Sequence, residues 1–333
     1  MKTKIGVIGV GHLGSLHAKM YNEIETAELI GVYDIDKQKC GEAAKKYKIT
    51  SFDSLEELLH AVQAVSIASI TSKHFEVARQ ALNAGVHVLI EKPITSTLEE
   101  ADELLSLAKE KKCLIQVGHI ERFNPAILAV ESYNLSPMFI ESHRLAQFKP
   151  RGTDVAVVLD LMIHDIDIIL SLVRSPVKQI DASGVAIVSD SPDIANARLQ
   201  FENGCVANVT SSRISRNGMR KMRMFQRNAY ISIDFQLGQA DVFRLGNEGE
   251  GGNWSTMLLG NIGEGKKKRA IIYEQPEVKK LNALKVELES FIECVQKGTP
   301  PVVSGEDGRH ALEVAQMIMN KIQMQNLNFE NED

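Results

Sequence analysis

Residues 4–14 read KIGVIGVGHLG, an apolar run that passes directly into a turn with three glycines and then into a helical pattern over residues 12–22. The apolar run is typical of a buried strand. Gly9, Gly11 and Gly14 have GxGxxG spacing, in which the first glycine permits a tight turn, the second lets the backbone approach a pyrophosphate, and the third lets helix and strand pack closely. The stretch therefore predicts the first strand, turn and helix of a dinucleotide-binding domain.

Residues at the start of the first helix and at the end of the second strand extend this prediction. His12 and Leu13 lie at the helix start, where free N–H groups and the positive end of the helix dipole favour phosphate. Asp34 follows Gly14 by 20 residues, the spacing at which a carboxylate hydrogen-bonds a ribose 2′-hydroxyl. Because a carboxylate repels a 2′-phosphate, the sequence favours NAD over NADP. The alternative is a glycine turn with an unrelated surface aspartate.

Strand-like and helical patterns alternate through residues 1–120, as expected for parallel strands with crossover helices on both faces of a sheet. After residue 121 strand-like segments predominate, which indicates a second α/β domain over 121–333. A chain of 333 residues is also longer than a domain with one hydrophobic core usually is. The sequence thus predicts an N-terminal Rossmann domain at 1–120 followed by an α/β domain, with helices at 122–133 and 155–173.

The composition argues against several classes of function. Hydrophobic residues make up 44% of the chain and charged residues 24%, values typical of a globular protein in water. A net charge of −5 argues against nucleic acid as a partner, and no apolar run approaches the roughly 20 residues of a membrane span. The four cysteines are far apart, with no CxxC pair and no secretory leader before them. This pattern favours reduced thiols, a cytoplasmic location and no metal site.

The fifth predicted strand ends in Glu91, Lys92 and Pro93. In sheets of this kind the carboxyl ends of the strands line the ligand crevice. A lysine there can lower the pKa of a substrate hydroxyl or donate to a carbonyl oxygen, whereas a strand-end lysine outside such a crevice is a solvated charge. The sequence leaves open whether the Lys92–Pro93 bond is cis.

A second group of polar residues interrupts the apolar stretch VLDLMIHDIDIIL at 158–170. As a helix, the stretch places Asp160, His164 and Asp167 on one stripe, whereas as a strand it carries charge on both faces. A histidine with an aspartate one turn earlier can be oriented for proton transfer near neutral pH. A buried structural Asp–His pair explains the spacing equally well. A metal site is less favoured, because no second cluster of ligands accompanies the stripe.

Several motifs together resemble the Gfo/Idh/MocA oxidoreductases. They are GVIGVGHLG at 6–14, the segment ending in EKP at 68–93, DLMIHDID at 160–167 and PPVVSGEDGRHALEVA at 300–315. The resemblance implies a Rossmann domain followed by an α/β domain with a large, mostly antiparallel open sheet, which commonly forms homodimer or homotetramer contacts. It also implies hydride transfer between NAD(P) and a sugar, cyclitol or nucleotide-sugar alcohol.

The resemblance implies roles for individual residues as well. Lys92 matches the lysine near the nicotinamide, and His164 matches the acid or base for the alcohol proton. Asp160 matches the residue that contacts substrate or orients the reacting groups. Matched residues on the adenosine and nicotinamide-ribose side are Ser69, His74 and Glu91.

Within this family, VGHIERFNPA at 117–126 combined with VLDLMIHDIDIIL most resembles a branch that oxidises the 3-hydroxyl of UDP-N-acetylglucosamine to a ketone. Many members have glycine where this chain has Met162. The branch implies four residues on the substrate side: His119, Arg122, Lys149 and Arg151. The last two are expected to contact the diphosphate, and surface charge is the alternative for both.

Two other functions stay open at this point. One is oxidation of a free sugar, an inositol or another nucleotide-sugar on the same scaffold. The other is a non-catalytic NAD-binding sensor. A sensor needs the glycines and Asp34 but has no need of Lys92, Asp160 and His164 together.

Overall fold

The computed structural model describes residues 2–148, 155–246, 256–263 and 269–330, with the backbone alone for 326–330. The chain divides into two compact units. The first consists of Met1–Phe123 with Leu281–Glu313, and the second of Asn124–Lys280 with Val314–Asp333.

The first unit is built on six strands and five helices that alternate along residues 3–118. The strands are β1 (Thr3–Ile8), β2 (Ala27–Tyr33), β3 (Thr50–Ser51), β4 (Ala64–Ile67), β5 (His87–Glu91) and β6 (Ile115–Gly118). The helices are α1 (His12–Glu23), α2 (Lys37–Tyr47), α3 (Leu55–Ala61), α4 (His74–Asn83) and α5 (Leu98–Lys111). The strands are parallel, in the order β3-β2-β1-β4-β5-β6. The order reverses between β1 and β4, where such sheets bind ligands at their carboxyl ends. The predicted Rossmann fold is confirmed.

The helices and strands of this unit follow from their local sequence. Thr97 and Glu100 form a capping box at the start of α5, in which each side chain accepts a hydrogen bond from the other residue's backbone N–H. Both α2 and α5 end at a lysine in the left-handed conformation, Lys48 and Lys112. Strands β1, β4, β5 and β6 bury nearly all of their side chains, as expected for a sheet covered on both faces.

In the described residues of the second unit there are nine strands. They are β7 (Phe139–Leu145), β8 (Val177–Val185), β9 (Ile194–Phe201), β10 (Val206–Ser212), β11 (Met219–Gln226), β12 (Ala229–Asp234), β13 (Gln239–Gly246), β14 (Thr256–Ile262) and β15 (Arg269–Glu274). Helices α6 (Pro125–Leu128) and α7 (Ile163–Val173) belong to the same unit. The strands form one sheet in the order β14-β15-β13-β12-β11-β7-β10-β9-β8. Neighbouring strands are antiparallel except for β7 and β10, so the expected large, mostly antiparallel sheet is confirmed.

The two faces of this sheet carry different side chains. On one face alternate residues such as Ile140, Met224 and Ile231 are buried, and α7 contacts β7 and β10 there. On the other face the strand register places five aromatic residues directly opposite one another across five strands. Their neighbouring ring centroids are 4.9–5.7 Å apart. These residues, called here the aromatic row, are Phe139, Phe225, Tyr230, Phe243 and Tyr273.

Two C-terminal helices follow, α8 (Ala283–Lys297) and α9 (Gly305–Glu330). Helix α8 buries Phe291 in the core of the first unit. Gly305, the first residue of α9, lies so close to α5 that a Cβ on it would come within 2.6 Å of the Leu105 side chain. Residues 281–313 therefore pack with the first unit, whereas the sequence predicts all of 121–333 in the second domain.

The predicted helix over 122–133 is wrong. Ile120–Phe123 and Glu131–Tyr133 form 3₁₀ turns, and between them α6 is four residues long. Asn124 is extended because the ring of Pro125 disfavours the helical conformation in the residue before it. The segment is thus broken into short turns.

The predicted helix over 155–173 is confirmed in its second half and altered in its first. Helix α7 ends at Arg174, which adopts the left-handed conformation. Before α7, Val158–Met162 form a π-helical turn, in which the hydrogen bonds run from i to i+5. Such turns are rare and occur frequently at functional sites.

Candidate active site

The glycine turn between β1 and α1 has the geometry expected from its spacing. Gly9 has a φ of +84°, which glycine adopts without strain. A Cβ on Gly14 would lie 1.7 Å from the carbonyl oxygen of Gly9, so no side chain fits between helix and turn. A Cβ on Gly11 would meet no described atom within 4 Å. The first and third glycines therefore serve the fold, while the second leaves the backbone open to an approaching group.

The start of α1 adjoins this open space. Gly11 occupies the capping position, so no side chain of that residue accepts a hydrogen bond from the N–H groups of the first turn. His12 and Leu13, the first two helical residues, are exposed. Uncapped N–H groups and the positive end of the helix dipole favour binding of a phosphate.

Asp34 lies beside the glycine turn, immediately after β2. Its Oδ2 accepts a hydrogen bond from the Val10 N–H at 2.7 Å, and its Oδ1 accepts one from the Asp36 N–H at 2.9 Å. These bonds fix a partly exposed carboxylate at the carboxyl end of β2. Since each carboxylate oxygen accepts more than one hydrogen bond, Asp34 retains capacity for a ribose hydroxyl. Gly11, the start of α1 and Asp34 together fit a dinucleotide.

The segments that follow β4 and β5 are joined through His74. Its Nε2 lies 3.0 Å from the carbonyl oxygen of Ser69, and its Nδ1 lies 2.9 Å from that of Pro93. Burial lowers the pKa of His74, although both carbonyl contacts act to raise it. A neutral imidazole has one N–H and donates to one of these carbonyls at a time. His74 thus contacts the carbonyl group of Pro93, whose peptide bond with Lys92 is cis, and its contacts are structural.

Ser69 offers a further polar group at the end of β4. Its Oγ is buried and has no hydrogen-bond partner among the described residues. A buried hydroxyl without a partner is costly unless a ligand supplies one. This hydroxyl is therefore consistent with the predicted place of Ser69 on the cofactor side.

Glu91 and Lys92 end β5. The Glu91 carboxylate is buried, with Oε1 2.9 Å from Nε2 of His17 on α1 and Oε2 accepting the Lys92 backbone N–H at 3.3 Å. Burial raises the pKa of Glu91, but the His17 hydrogen bond and the Lys92 charge outweigh it and hold the pKa below its usual range. Lys92 is half-buried. The sequence gives no prediction for His17, although a polar residue on the inner face of α1 is a usable signal.

His119 and Arg122 follow β6. His119 is fully buried, and burial together with the positive charges of Lys92 and Arg122 lowers its pKa to about 3. Its ring is therefore neutral and has no surface for a substrate. Arg122 is half-buried, and its Nη2 lies 3.9 Å from Oδ2 of Asp307 on α9. The Arg122 side chain as a whole is 16% exposed.

In the second unit, the π turn and α7 carry Asp160 and His164. Both residues are half-buried. Asp167, which the sequence places on the same stripe, is 2% exposed. The stripe thus divides into two half-buried residues and one buried residue.

Asp165 anchors α7 to the nine-stranded sheet. Its carboxylate accepts hydrogen bonds from Nε of Arg144 at 2.6 Å, from Nη2 of Arg144 at 3.3 Å and from Oγ of Ser142 at 2.8 Å. The Arg144 and Asp165 side chains are only 4% and 2% exposed. A buried ion pair with a third hydrogen bond fixes the helix that carries His164. The spacing of the sequence does not identify Arg144 as the partner of Asp165.

Other predicted features are outside these clusters. Lys149 and Arg151 lie outside the described residues. Within the ranges that the structure does describe, no three or more His, Cys, Asp or Glu side chains are grouped so as to hold a metal ion. Over the same ranges, no helix combines the length and the apolar character that crossing a membrane requires.

Comparison with known proteins gives matches along both units. A family model described as an oxidoreductase family with an NAD-binding Rossmann fold matches residues 3–119, and the GFO/IDH/MocA C-terminal domain model matches residues 127–232. The chain is 38% identical over 313 residues to UDP-N-acetylglucosamine 3-dehydrogenase from Acidithiobacillus ferrooxidans, covering 94% of this chain and 95% of the relative. It is 25% identical over 336 residues to myo-inositol 2-dehydrogenase from Thermotoga maritima, covering 93% of each.

A solved structure gives the same result for the fold. UDP-N-acetylglucosamine 3-dehydrogenase from Acidithiobacillus ferrooxidans matches with a TM-score of 0.86 at 36% identity, covering 97% of this chain and 99% of that chain. Matches to both domain models and to a relative over nearly its full length leave one conclusion: the chain belongs to the GFO/IDH/MocA oxidoreductase family.

Proposed function

We propose that the protein is an NAD-dependent dehydrogenase that oxidises the 3-hydroxyl of UDP-N-acetylglucosamine to a ketone. The observation that carries the proposal is the 38% identity, over 94% of this chain, to an enzyme named for that reaction. The presence of Lys92, Asp160 and His164 supports catalysis over a sensor role, because a sensor that only binds NAD needs no group to move a proton.

The proposed cofactor is NAD, and the residues that would hold it lie in the first unit. Gly11 and the start of α1 leave room and N–H donors that support a pyrophosphate there, and Asp34 is proposed to accept a hydrogen bond from a ribose hydroxyl. NAD when bound supplies the acceptor for a hydride. The negative charge of Asp34 supports NAD over NADP, because it would repel a 2′-phosphate.

Residues of this chain are proposed to handle the hydroxyl proton. His164 accepts it as the general base, and Asp160 orients the imidazole or contacts the substrate. Lys92 places a positive charge at the carboxyl end of β5, where it stabilises negative charge that develops on the reacting oxygen. Proton transfer to a positioned base contributes about 10²–10⁴ in rate.

The diphosphate of the substrate requires cations. Arg122 is a candidate within the described residues, because its side chain is partly exposed and a guanidinium can bind phosphate in a bidentate manner. Lys149 and Arg151 stay predictions for the same role. His119 is left out of the proposed substrate contacts because its side chain is buried.

The function is tested by incubating the purified protein and NAD with UDP-N-acetylglucosamine, UDP-glucose, myo-inositol and free hexoses. We expect NADH to form with UDP-N-acetylglucosamine, together with a product two hydrogens lighter and carbonyl-bearing at C3 by NMR. Turnover of myo-inositol alone would favour the second candidate function, which the 25% identity to an inositol dehydrogenase supports. Tight NAD binding without turnover of any alcohol would favour the sensor.

We also propose that the protein is a homodimer or homotetramer that associates through the aromatic row. Phe225 of that row is 37% exposed and its other four rings are half-buried. Met219 and Leu245, on the same face of the sheet, are 37% and 39% exposed. Exposed apolar side chains grouped on one face support an interaction surface there. Light scattering of a Tyr230→Lys variant is expected to give a monomer, and an unchanged mass would contradict this interface.

A cytoplasmic location is part of the same proposal. Its support is the state of the four cysteines, which are all free and buried. Free thiols are typical of a reducing compartment. Fractionation of the native host, with the protein followed by antibody, tests the assignment.

A further inference from the structure

We propose that His17 is a positioning residue, which fixes the Glu91 carboxylate and through it holds Lys92 in its working place. The inference rests on the proposed dehydrogenase function. It concerns a histidine on α1 that is outside the glycine turn and is not itself a candidate for contact with substrate, because its side chain is fully buried.

The contact between His17 and Glu91 is short and enclosed. Nε2 of His17 lies 2.9 Å from Oε1 of Glu91, and the two side chains are 0% and 11% exposed. The other oxygen, Oε2, accepts the backbone N–H of Lys92 at 3.3 Å. A Cβ on Gly118 would come within 3.0 Å of the carboxylate, so β6 also closes around it. Glu91 is therefore held between α1, its own strand end and β6.

The hydrogen-bonding pattern identifies the donor. Nδ1 of His17 is buried and has no hydrogen-bond partner in the described part of the chain. A neutral ring with its proton on Nε2 leaves only a lone pair unmatched there, whereas a charged ring would bury an unpaired N–H. Nε2 of His17 therefore donates to Glu91, and the negative charge stays on the carboxylate.

The charge on Glu91 affects the pKa values of several groups around it. Burial raises the pKa of Glu91, and the His17 hydrogen bond with the positive charge of Lys92 more than offsets that effect. In return the Glu91 carboxylate acts to raise the pKa values of groups on three other parts of the unit. The titratable groups that face it are His17 and Tyr21 on α1, His74 on α4, Lys92 at the end of β5 and His119 after β6.

The contact also connects two parts of the proposed site. His17 lies three residues after Gly14, on the helix whose start is open to a pyrophosphate. Its hydrogen bond ties that helix to the strand end that carries Lys92. One turn later on the same buried face, the Tyr21 hydroxyl hydrogen-bonds Oγ of Ser66 on β4 at 2.8 Å. That second hydrogen bond joins the same helix to the sheet and involves neither Glu91 nor Lys92. Burial raises the pKa of Tyr21, so its hydroxyl is neutral and its removal changes no charge beside Glu91, which makes it a matched control.

The test compares His17→Leu, His17→Gln and Tyr21→Phe in the full-length protein. In His17→Leu the carboxylate loses its donor and is protonated more easily. We expect kcat to fall about ten- to hundredfold, with the acid limb of its pH profile moved to higher pH and the NAD affinity unchanged. His17→Gln, whose amide N–H can replace the imidazole donor, is expected to restore most of kcat. Tyr21→Phe is expected to lower the melting temperature but to keep the wild-type kcat and pH profile.

Two results would overturn the inference. One is a His17→Leu variant with wild-type kcat and pH profile. The other is a Tyr21→Phe variant that loses as much kcat as His17→Leu, because His17 would then act only through packing of α1.

An infrared titration separates this inference from the proposed function. The C=O stretch of a protonated Glu91, assigned by its loss in Glu91→Gln, can be followed without any sugar substrate. We expect this band at neutral pH in His17→Leu and not in the wild type. If the band behaves so but no UDP-sugar turns over, the proposed function fails while the effect of His17 on Glu91 stands. If UDP-sugars turn over and the band is the same in both proteins, the inference fails.

Discussion

Gly14 and Gly11 of the first turn are expected to have different effects on the protein when each is replaced by alanine. A methyl group on Gly14 would lie 1.7 Å from the Gly9 carbonyl oxygen, which forces α1 away from the turn. Overpacking typically costs about 1–3 kcal/mol, and we expect about 3 kcal/mol here because the backbone must move. At about 2–4 °C per kcal/mol, Gly14→Ala should lower the melting temperature of the first unit by roughly 6–12 °C.

Gly11→Ala is expected to change the stability of the fold little and to lower the affinity for NAD instead. Its methyl group would meet no described atom within 4 Å, and the φ of Gly11, −63°, suits alanine. Loss of a good capping residue costs the fold at most about 1 kcal/mol. The methyl would however occupy the space left open for a pyrophosphate, so NAD affinity should fall at least about tenfold, or about 1.4 kcal/mol.

Calorimetry and NAD titration of both variants check these expectations. Gly41→Ala is the matched control, because this exposed glycine in α2 also has open space around its Cβ and lies outside the turn. It should stabilise the protein slightly and leave NAD affinity unchanged. A Gly11→Ala variant with wild-type affinity would refute the reasoning about the open space, and a Gly14→Ala variant of wild-type stability would refute the close approach.

Further expectations concern the second unit and the choice of cofactor. His164→Ala should lose about 10²–10⁴ in kcat while its NAD affinity by titration stays unchanged, and wild-type turnover would remove His164 from the mechanism. Asp165→Asn leaves Arg144 buried without its carboxylate and should cost about 3–5 kcal/mol in urea denaturation. The double variant Arg144→Met with Asp165→Leu should recover most of that loss, since no buried charge remains. Asp34→Ser should lower the ratio of kcat/KM with NAD to kcat/KM with NADP at least about tenfold. An unchanged ratio would contradict the proposed role of Asp34.

The Rossmann part of the fold is predictable because its signals are local. Each central strand is a continuous apolar run, and helices such as α5 begin at a capping box that can be read from Thr97 and Glu100. The return of residues 281–313 to the first unit cannot be read in the same way. Gly305 is placed there by its approach to Leu105, some two hundred residues earlier in the chain, and no periodicity reports such a contact.

The candidate site residues likewise differ in whether a local sequence signal identifies them. Gly9, Gly11, Gly14 and Asp34 act through backbone and spacing, so a short motif suffices to find them. His17 is different, because its role depends on Glu91, which lies 74 residues away at the end of β5. Burial is also a property of the whole fold. His119 occupies a motif position that the family resemblance assigns to the substrate side, yet its side chain is completely buried.

The π turn shows why spacing alone could not settle the roles in VLDLMIHDIDIIL. The stripe of Asp160, His164 and Asp167 assumes an unbroken α-helix, but Val158–Met162 widen the first turn and α7 begins only at Ile163. The helix after the turn is fixed by the buried pair of Asp165 and Arg144, whereas Asp160 sits within the turn itself. His164 is therefore held rigidly relative to β7, and the direction of Asp160 depends on the rarer backbone geometry. Because a π turn is rare and less stable than an α-helical turn, we propose that it is kept directly before a half-buried histidine for the placement of Asp160.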